Sequence, residues 1–179
     1  MNFLPFPELK TKRLRLRRVV ESDYNVILYL RSDGEINKYI YRPENRKTET
    51  QSDALEFIKK INLEEEKGLS ITWGMTVDGT SGLIGSICLW NISKENKTAE
   101  VGYSMNPNYQ GKGLMSEALK STLSFGFNKI NLIGVTAYTH DENKSSKNLL
   151  IRNGFKLVEG EIDKGNSSNI IFEILKTTV

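Results

Sequence analysis

The chain has 179 residues, 38% hydrophobic and 26% charged, with a formal net charge of +3. That length supports one domain with a real core, and the charge is too small to argue for nucleic acid as a partner. One cysteine and one histidine exclude an internal disulfide and a cysteine-based zinc cluster, and they disfavour metal binding. No apolar run approaches the ~18 residues of a membrane span. Residues 1–18 lack the apolar segment of a secretion signal, so the chain reads as cytoplasmic with no membrane partner.

Taken in order, Arg13 to Val19 alternates polar and apolar side chains, as a half-buried strand does, with its basic residues on a solvated face. Ser22 and Asp23 offer caps for a helix that turns Tyr24, Ile27, Leu28 and Leu30 inward. Residues 34–41 read as a second short helical piece and residues 42–47 as a polar loop. A longer helix starts at Thr48 or Thr50 and runs to Lys67, where Gly68 ends it. The period then changes. Ile71, Trp73, Met75 and Val77 alternate, Asp78-Gly79 turns, and a second apolar run covers Leu83 to Trp90. Thr98 to Met105 completes an antiparallel meander. A helix from about Gly111 to Lys129 buries Leu114, Ala118, Leu119, Leu123 and Phe127. Leu132 to Thr139 is a strand, Asn143 to Arg152 a short helix closed by Asn153-Gly154. Residues 155–158 and 169–175 supply the last two strands. The pattern is mixed α/β, an antiparallel meander followed by a strand–helix–strand crossover.

The stretch from Ala99 to Leu119 carries the chemistry. A strand, the turn Asn106-Pro107-Asn108 and a glycine-bearing helix start follow one another. Such a junction aims several backbone N–H groups at one spot, where the helix dipole also favours negative charge. Gly111 and Gly113 let a phosphate approach the main chain. A nucleotide-triphosphatase loop is excluded, because no Gly-x-x-x-x-Gly-Lys-Ser/Thr occurs. A dinucleotide fold is a poor fit: Met115 and Ser116 stand where its third glycine belongs, and the motif follows a meander rather than a first parallel unit.

With these residues in view the chain resembles the GNAT superfamily of acetyl-CoA-dependent N-acetyltransferases, and within it the ribosomal-protein N-terminal alanine acetyltransferases. Gln110-Gly111-Lys112-Gly113-Leu114-Met115 is similar to the family's pyrophosphate loop, although Met115 departs from its small last residue. Thr11 to Arg17, Ala99 to Tyr103, Asn143 to Ser146 and Asn153-Gly154-Phe155 agree as well. The likeness spans residues 11–176, leaving 1–10 as a short extension. It implies a mostly antiparallel sheet of about seven strands with helices on both faces, splayed between the fourth and fifth strands.

The resemblance also implies a site. Backbone N–H groups from Gln110 through Gly111, Lys112, Gly113, Leu114 and Met115 to Ser116 would bind the coenzyme A pyrophosphate, with the Lys112 side chain either on a phosphate or in solvent. The pantetheine arm would pair with main chain at Tyr103, Ser104 and Met105 like an added strand, and an N–H there would polarise the thioester. Amine acetylation further needs a neutral amine and a proton for the thiolate. Glu100 is the candidate base, its alternative being a pairing with a basic neighbour. The family's helical tyrosine falls at Leu150 and is missing, so Ser146 is the candidate acid, or else a small lining residue. Asn143 caps the helix and is available to the pantetheine. His140 lies in a polar turn, and Trp73 and Trp90 suit core or pocket wall.

The expected activity is direct acetyl transfer from acetyl-CoA, without metal, to a primary amine of a small molecule or protein N-terminus. Acceptor choice is expected in the loops at 32–48 and 160–169. The alternative is a non-catalytic acyl-CoA-binding regulatory module. A homodimer is the default assembly.

Overall fold

The computed structural model describes residues 3–176. Strands β1 (Leu9–Lys10), β2 (Leu14–Arg18), β3 (Ile71–Val77), β4 (Leu83–Ser93), β5 (Thr98–Met105), β6 (Gly134–His140), β7 (Lys156–Leu157) and β8 (Asn169–Leu175) form one sheet. Its order is β1-β2-β3-β4-β5-β6-β8-β7. Every neighbouring pair is antiparallel except β5–β6, joined by a helical crossover. The helices are α1 (Tyr24–Ser32), α2 (Gln51–Glu66), α3 (Leu114–Asn128) and α4 (Lys144–Arg152). None is long and apolar enough to cross a membrane.

Alternation along the strands separates the two faces. Ile71, Trp73, Met75, Ile87, Leu89, Val101 and Val135 turn to one side, where Leu114, Ala118, Leu119 and Leu123 of α3 and Leu150 of α4 cover them. On the other side Val19 and Leu83 meet Ile27 of α1 and Ala54, Ile58 and Ile61 of α2. Helices therefore lie on both faces, as the sequence implies.

Eight strands replace the expected seven, because Leu9–Lys10 adds an edge strand on β2, too short to show a period. Residues 3–10, set apart in sequence as an extension, also contribute Phe3 to the core, its ring 6.2 Å from that of Phe125. The expected helix at 34–41 is instead a run of turns: Asp33 Oδ1 takes the N–H groups of Glu35 and Ile36, competing with the helical ladder. α3 starts at Leu114 rather than Gly111, since Gly111 and Gly113 hold positive φ.

The basic residues of β2 are not merely solvated. Arg15 pairs with Glu8, Arg18 with Glu65, and Arg17 with Asp23 through two bonds of 2.8 Å. Asp23 is 9% exposed and also accepts the Val20 N–H, so it ties β2 to the start of α1. Asp23→Ala strands the Arg17 guanidinium in this setting and is expected to lower stability by about 3 kcal/mol. Urea unfolding should show a lower midpoint at an unchanged slope.

Candidate active site

The loop between β5 and α3 is built to leave backbone donors free. Asn106 Oδ1 accepts the Asn108 N–H, and Pro107–Tyr109 makes a single 3-10 turn. Gly111 and Gly113 then adopt φ of +72° and +75°, a conformation in which a side chain costs about 1–2 kcal/mol. A Cβ would meet nothing within 4 Å at Gly111, and at Gly113 only Arg13 Nη2, at 3.5 Å. Among the described residues no acceptor meets the N–H groups of Gly111, Lys112, Gly113, Leu114, Met115 or Ser116. Six undonated amides on a bare glycine surface at the head of a fifteen-residue helix fit a diphosphate. Gln110 departs from this set. Its N–H is taken by Pro107 O at 3.0 Å, and its side chain donates to Met105 O.

The loop is braced from residues that sequence reasoning left as strand surface. Glu117, in the first turn of α3, accepts from Thr11 Oγ1 at 2.6 Å and from both the N–H and Nε of Arg13 at 2.8 Å. Arg13 Nη1 then donates to Lys112 O. Ser116 Oγ donates to Asn153 Oδ1, linking the start of α3 to the end of α4. Lys112 Nζ is folded back onto Asn108 O at 2.8 Å.

Next to the loop, the sheet opens. β5 pairs with β6 only at Thr98, Ala99 and Glu100, after which β6 continues to His140 against β8 alone. The Asn106 N–H to Ile84 O bond sets the alternation of the β4–β5 ladder. It turns the peptide groups of Ser104 toward β4 and those of Tyr103 and Met105 toward the gap. Of the three residues expected to meet a pantetheine, Ser104 therefore offers its side chain, not its main chain. Met105 offers its N–H, its carbonyl being held by Gln110.

Glu100 and Tyr103 stand on opposite faces of β5. Glu100 is on the α1–α2 side, half-buried, and accepts from Asn91 Nδ2 at 2.7 Å rather than pairing with a basic residue. Burial pushes its carboxyl above the usual range; the Asn91 bond opposes this and the charge of Asp163 reinforces it. Asp163 comes from the polar hairpin between β7 and β8. Trp90, opposite Glu100 on β4, is 41% exposed and walls this side.

On the α3–α4 side the Tyr103 hydroxyl lies 2.8 Å from Ser146 Oγ. Burial pushes the phenol up to about 12, against the Ser146 bond. Sequence reading took Tyr103 only for its main chain; strand alternation was the signal that its ring faces α4. Leu150, where the family tyrosine would stand, is fully buried in the core. Asn143 Oδ1 caps α4 by accepting the Ser146 N–H at 3.1 Å, which leaves its Nδ2 free to donate. His140 Nδ1 accepts from the Glu142 N–H, and its ring sits 5.3 Å from that of Tyr39. Trp73 is buried, donating to Pro7 O. Among the described residues no cluster of histidine, cysteine or carboxylate groups is arranged to hold a metal ion. A cavity of about 540 Å³ lined by Ser93, Lys97, Ile133 and Lys176 lies at the far, Thr98–Gly134 end of the β5–β6 pair, away from this gap.

Residues 13–156 match the acetyltransferase (GNAT) domain family. The chain belongs to that family. Two relatives are the uncharacterized N-acetyltransferases p20 of Bacillus licheniformis and YoaA of Bacillus subtilis (strain 168). p20 is 31% identical over 94% of this chain and 96% of its own length. YoaA is 30% identical over 84% of each. A solved structure of RimL, a ribosomal L7/L12 alpha-N-protein acetyltransferase in complex with coenzyme A, superposes with a TM-score of 0.81 at 18% identity. It covers 94% of this chain and 98% of that one, a likeness of fold. The GNAT chain is thus an acetyl-CoA-dependent N-acetyltransferase.

Glu117→Ala removes three of the hydrogen bonds that brace the loop at once. Calorimetry is expected to show acetyl-CoA binding weakened about tenfold, the loss of one charge-assisted bond's worth of positioning. Thermal stability should change little by comparison.

Proposed function

We propose that this GNAT enzyme acetylates a primary amine by direct transfer, using Glu100 on one face of β5 and the Ser146–Tyr103 hydroxyl pair on the other. The observation that supports this reading is the placement of those groups on either side of the gap where β5 leaves β6. Bound there, acetyl-CoA supplies an electrophilic thioester carbonyl and a sulfur leaving group. The N–H groups of Tyr103 and Met105 face the gap and can hydrogen-bond an oxygen that gains negative charge, an effect independent of side-chain identity.

Glu100 takes the proton of the incoming ammonium group, directly or through one water. Its raised affinity for protons makes it a better base than an exposed carboxylate. Ser146 donates toward the departing sulfur, and Tyr103 stands behind it. A phenol pushed up to about 12 stays protonated throughout the physiological range, so it can always supply that hydrogen bond. Glu100 passes that first proton to solvent and takes the second as the C–N bond forms and the C–S bond breaks, while the hydroxyl pair on the other side of the strand protonates the thiolate and regains its proton from solvent. The acceptor amine belongs to a small molecule or a protein N-terminus.

If Glu100 is the base, kcat/KM falls as pH drops through its raised pKa, because only the ionised carboxylate accepts a proton. Glu100→Gln should abolish that inflection and slow turnover by about 10²-fold; an inflection that survives the change assigns the base elsewhere. Ser146→Ala should lower kcat by about 10²-fold with acetyl-CoA affinity little changed, and Tyr103→Phe by less. Wild-type rates in Ser146→Ala would remove the hydroxyl from the reaction. Tight acetyl-CoA binding without release of free coenzyme A over a broad amine panel would mark a binding module instead.

A further inference from the structure

Arg31 and Arg42 differ from the arginines of β2. Arg13, Arg15, Arg17 and Arg18 each reach a carboxylate. Arg31 and Arg42 are partly buried and, among the described residues, form no ion pair. Arg31 Nε donates to Thr48 Oγ1 at 2.8 Å and one Nη to Arg46 O, while its guanidinium lies 3.7 Å from the centroid of the Phe57 ring. Arg42 Nη1 donates to Asn37 Oδ1 and to Arg31 O. Arg31 Nη1 and Arg42 Nε and Nη2 are left without an acceptor among the described residues. The nearby acids are otherwise engaged: Glu44 holds Lys47, and Asp33 caps its own turn.

The charge of Arg42 also acts on Arg31. Burial pulls Arg31 down to about 10, and the neighbouring positive charges of Arg42 and Arg46 pull in the same direction. Burial lowers Arg42 as well. Two cations withdrawn from water side by side, with unfilled planar donors, are unfavourable without an anion between them.

Cys88 places Arg31 relative to Glu100. This half-buried residue sits on the α1–α2 face of β4, opposite Gly102, and its thiol feels the charges of Arg31, Glu64 and Glu100. The α1–α2 connection that carries Arg42 reaches the gap as well, the Tyr39 ring lying 5.3 Å from that of His140 at the end of β6. We propose that the acetyl acceptor carries an oxyanion, carboxylate or phosphate, held by Arg31 and Arg42 while its amine faces Glu100. This rests on the reading of Glu100 as the amine end of the site. A guanidinium pair recognises either oxyanion through paired N–H donors. A polyamine without an anionic group would meet two uncompensated positive charges here and is disfavoured.

The test compares three acceptor series of matched length: ω-amino carboxylates, their carboxamides and aminoalkyl phosphonates, with acetyl-CoA as donor. One oxyanion series should exceed the carboxamides in kcat/KM by about tenfold or more, and the better of the two names the anion. Arg42→Gln should shrink that ratio about tenfold, the carboxylates or phosphonates losing far more than the amides. Equal kcat/KM for amides and oxyanions in the wild type overturns the proposal. So does an Arg42→Gln enzyme that loses both equally, since that is the mark of a merely structural arginine.

Binding of the N-acetylated products to the coenzyme A-loaded wild type, followed by calorimetry, reads the same preference without turnover. If oxyanionic products bind better yet no amine is acetylated, the assignment of Glu100 and Ser146 fails while the anion site stands. If they bind no better than their amides, the anion site fails by itself.

Discussion

Past Glu100, the peptide groups on one edge of β5 face no strand, and polar main chain in such a position demands a partner. β6 does not supply it: beyond Thr136 it runs on to His140 with β8 alone beside it, so its β5-facing edge is open too. The sheet therefore carries an unsatisfied notch in its middle rather than at its rim, where proteins usually guard against stray pairing. An extended ligand arm with amide groups meets that demand as a strand would. The glycine loop lies at one end of the notch because the same strand runs directly into it. Two binding elements thus follow from one backbone decision.

Charge is distributed with the same economy. Arg13, just before β2, and Arg17 and Arg18 within it are tethered to Glu117 of α3, Asp23 before α1 and Glu65 of α2, and these tethers hold the loop, α1 and α2 in place around the sheet. In the α1–α2 connection the arginines are tethered only by neutral oxygens. The first set organises the scaffold. The second leaves guanidinium donors unfilled on the side of the sheet that also carries Glu100.

Local signals made much of this legible in sequence. The period of two along residues 71–105 placed the meander, Thr50 is the one of the two threonines that starts α2, and Asn143 caps α4. The glycine loop was readable because backbone freedom is a property of single residues. What escaped depends on partners distant in the chain. Tyr103 meets Ser146 across 43 positions, and Arg13 meets Glu117 across 104. The turns at 34–41 escaped for a different reason: a helix and a run of turns share composition, and one captured pair of N–H groups at Asp33 decides between them.

The family match begins at residue 13, yet the fold does not. Phe3 seals the apolar layer beside Phe125, and the carbonyl of Pro7 accepts from the buried Trp73 indole N–H. A clone trimmed to the start of the family match would leave that indole nitrogen bare and the ring of Phe125 wet. The leading peptide thus behaves as a plug, and its removal is a change to the interior rather than to the periphery.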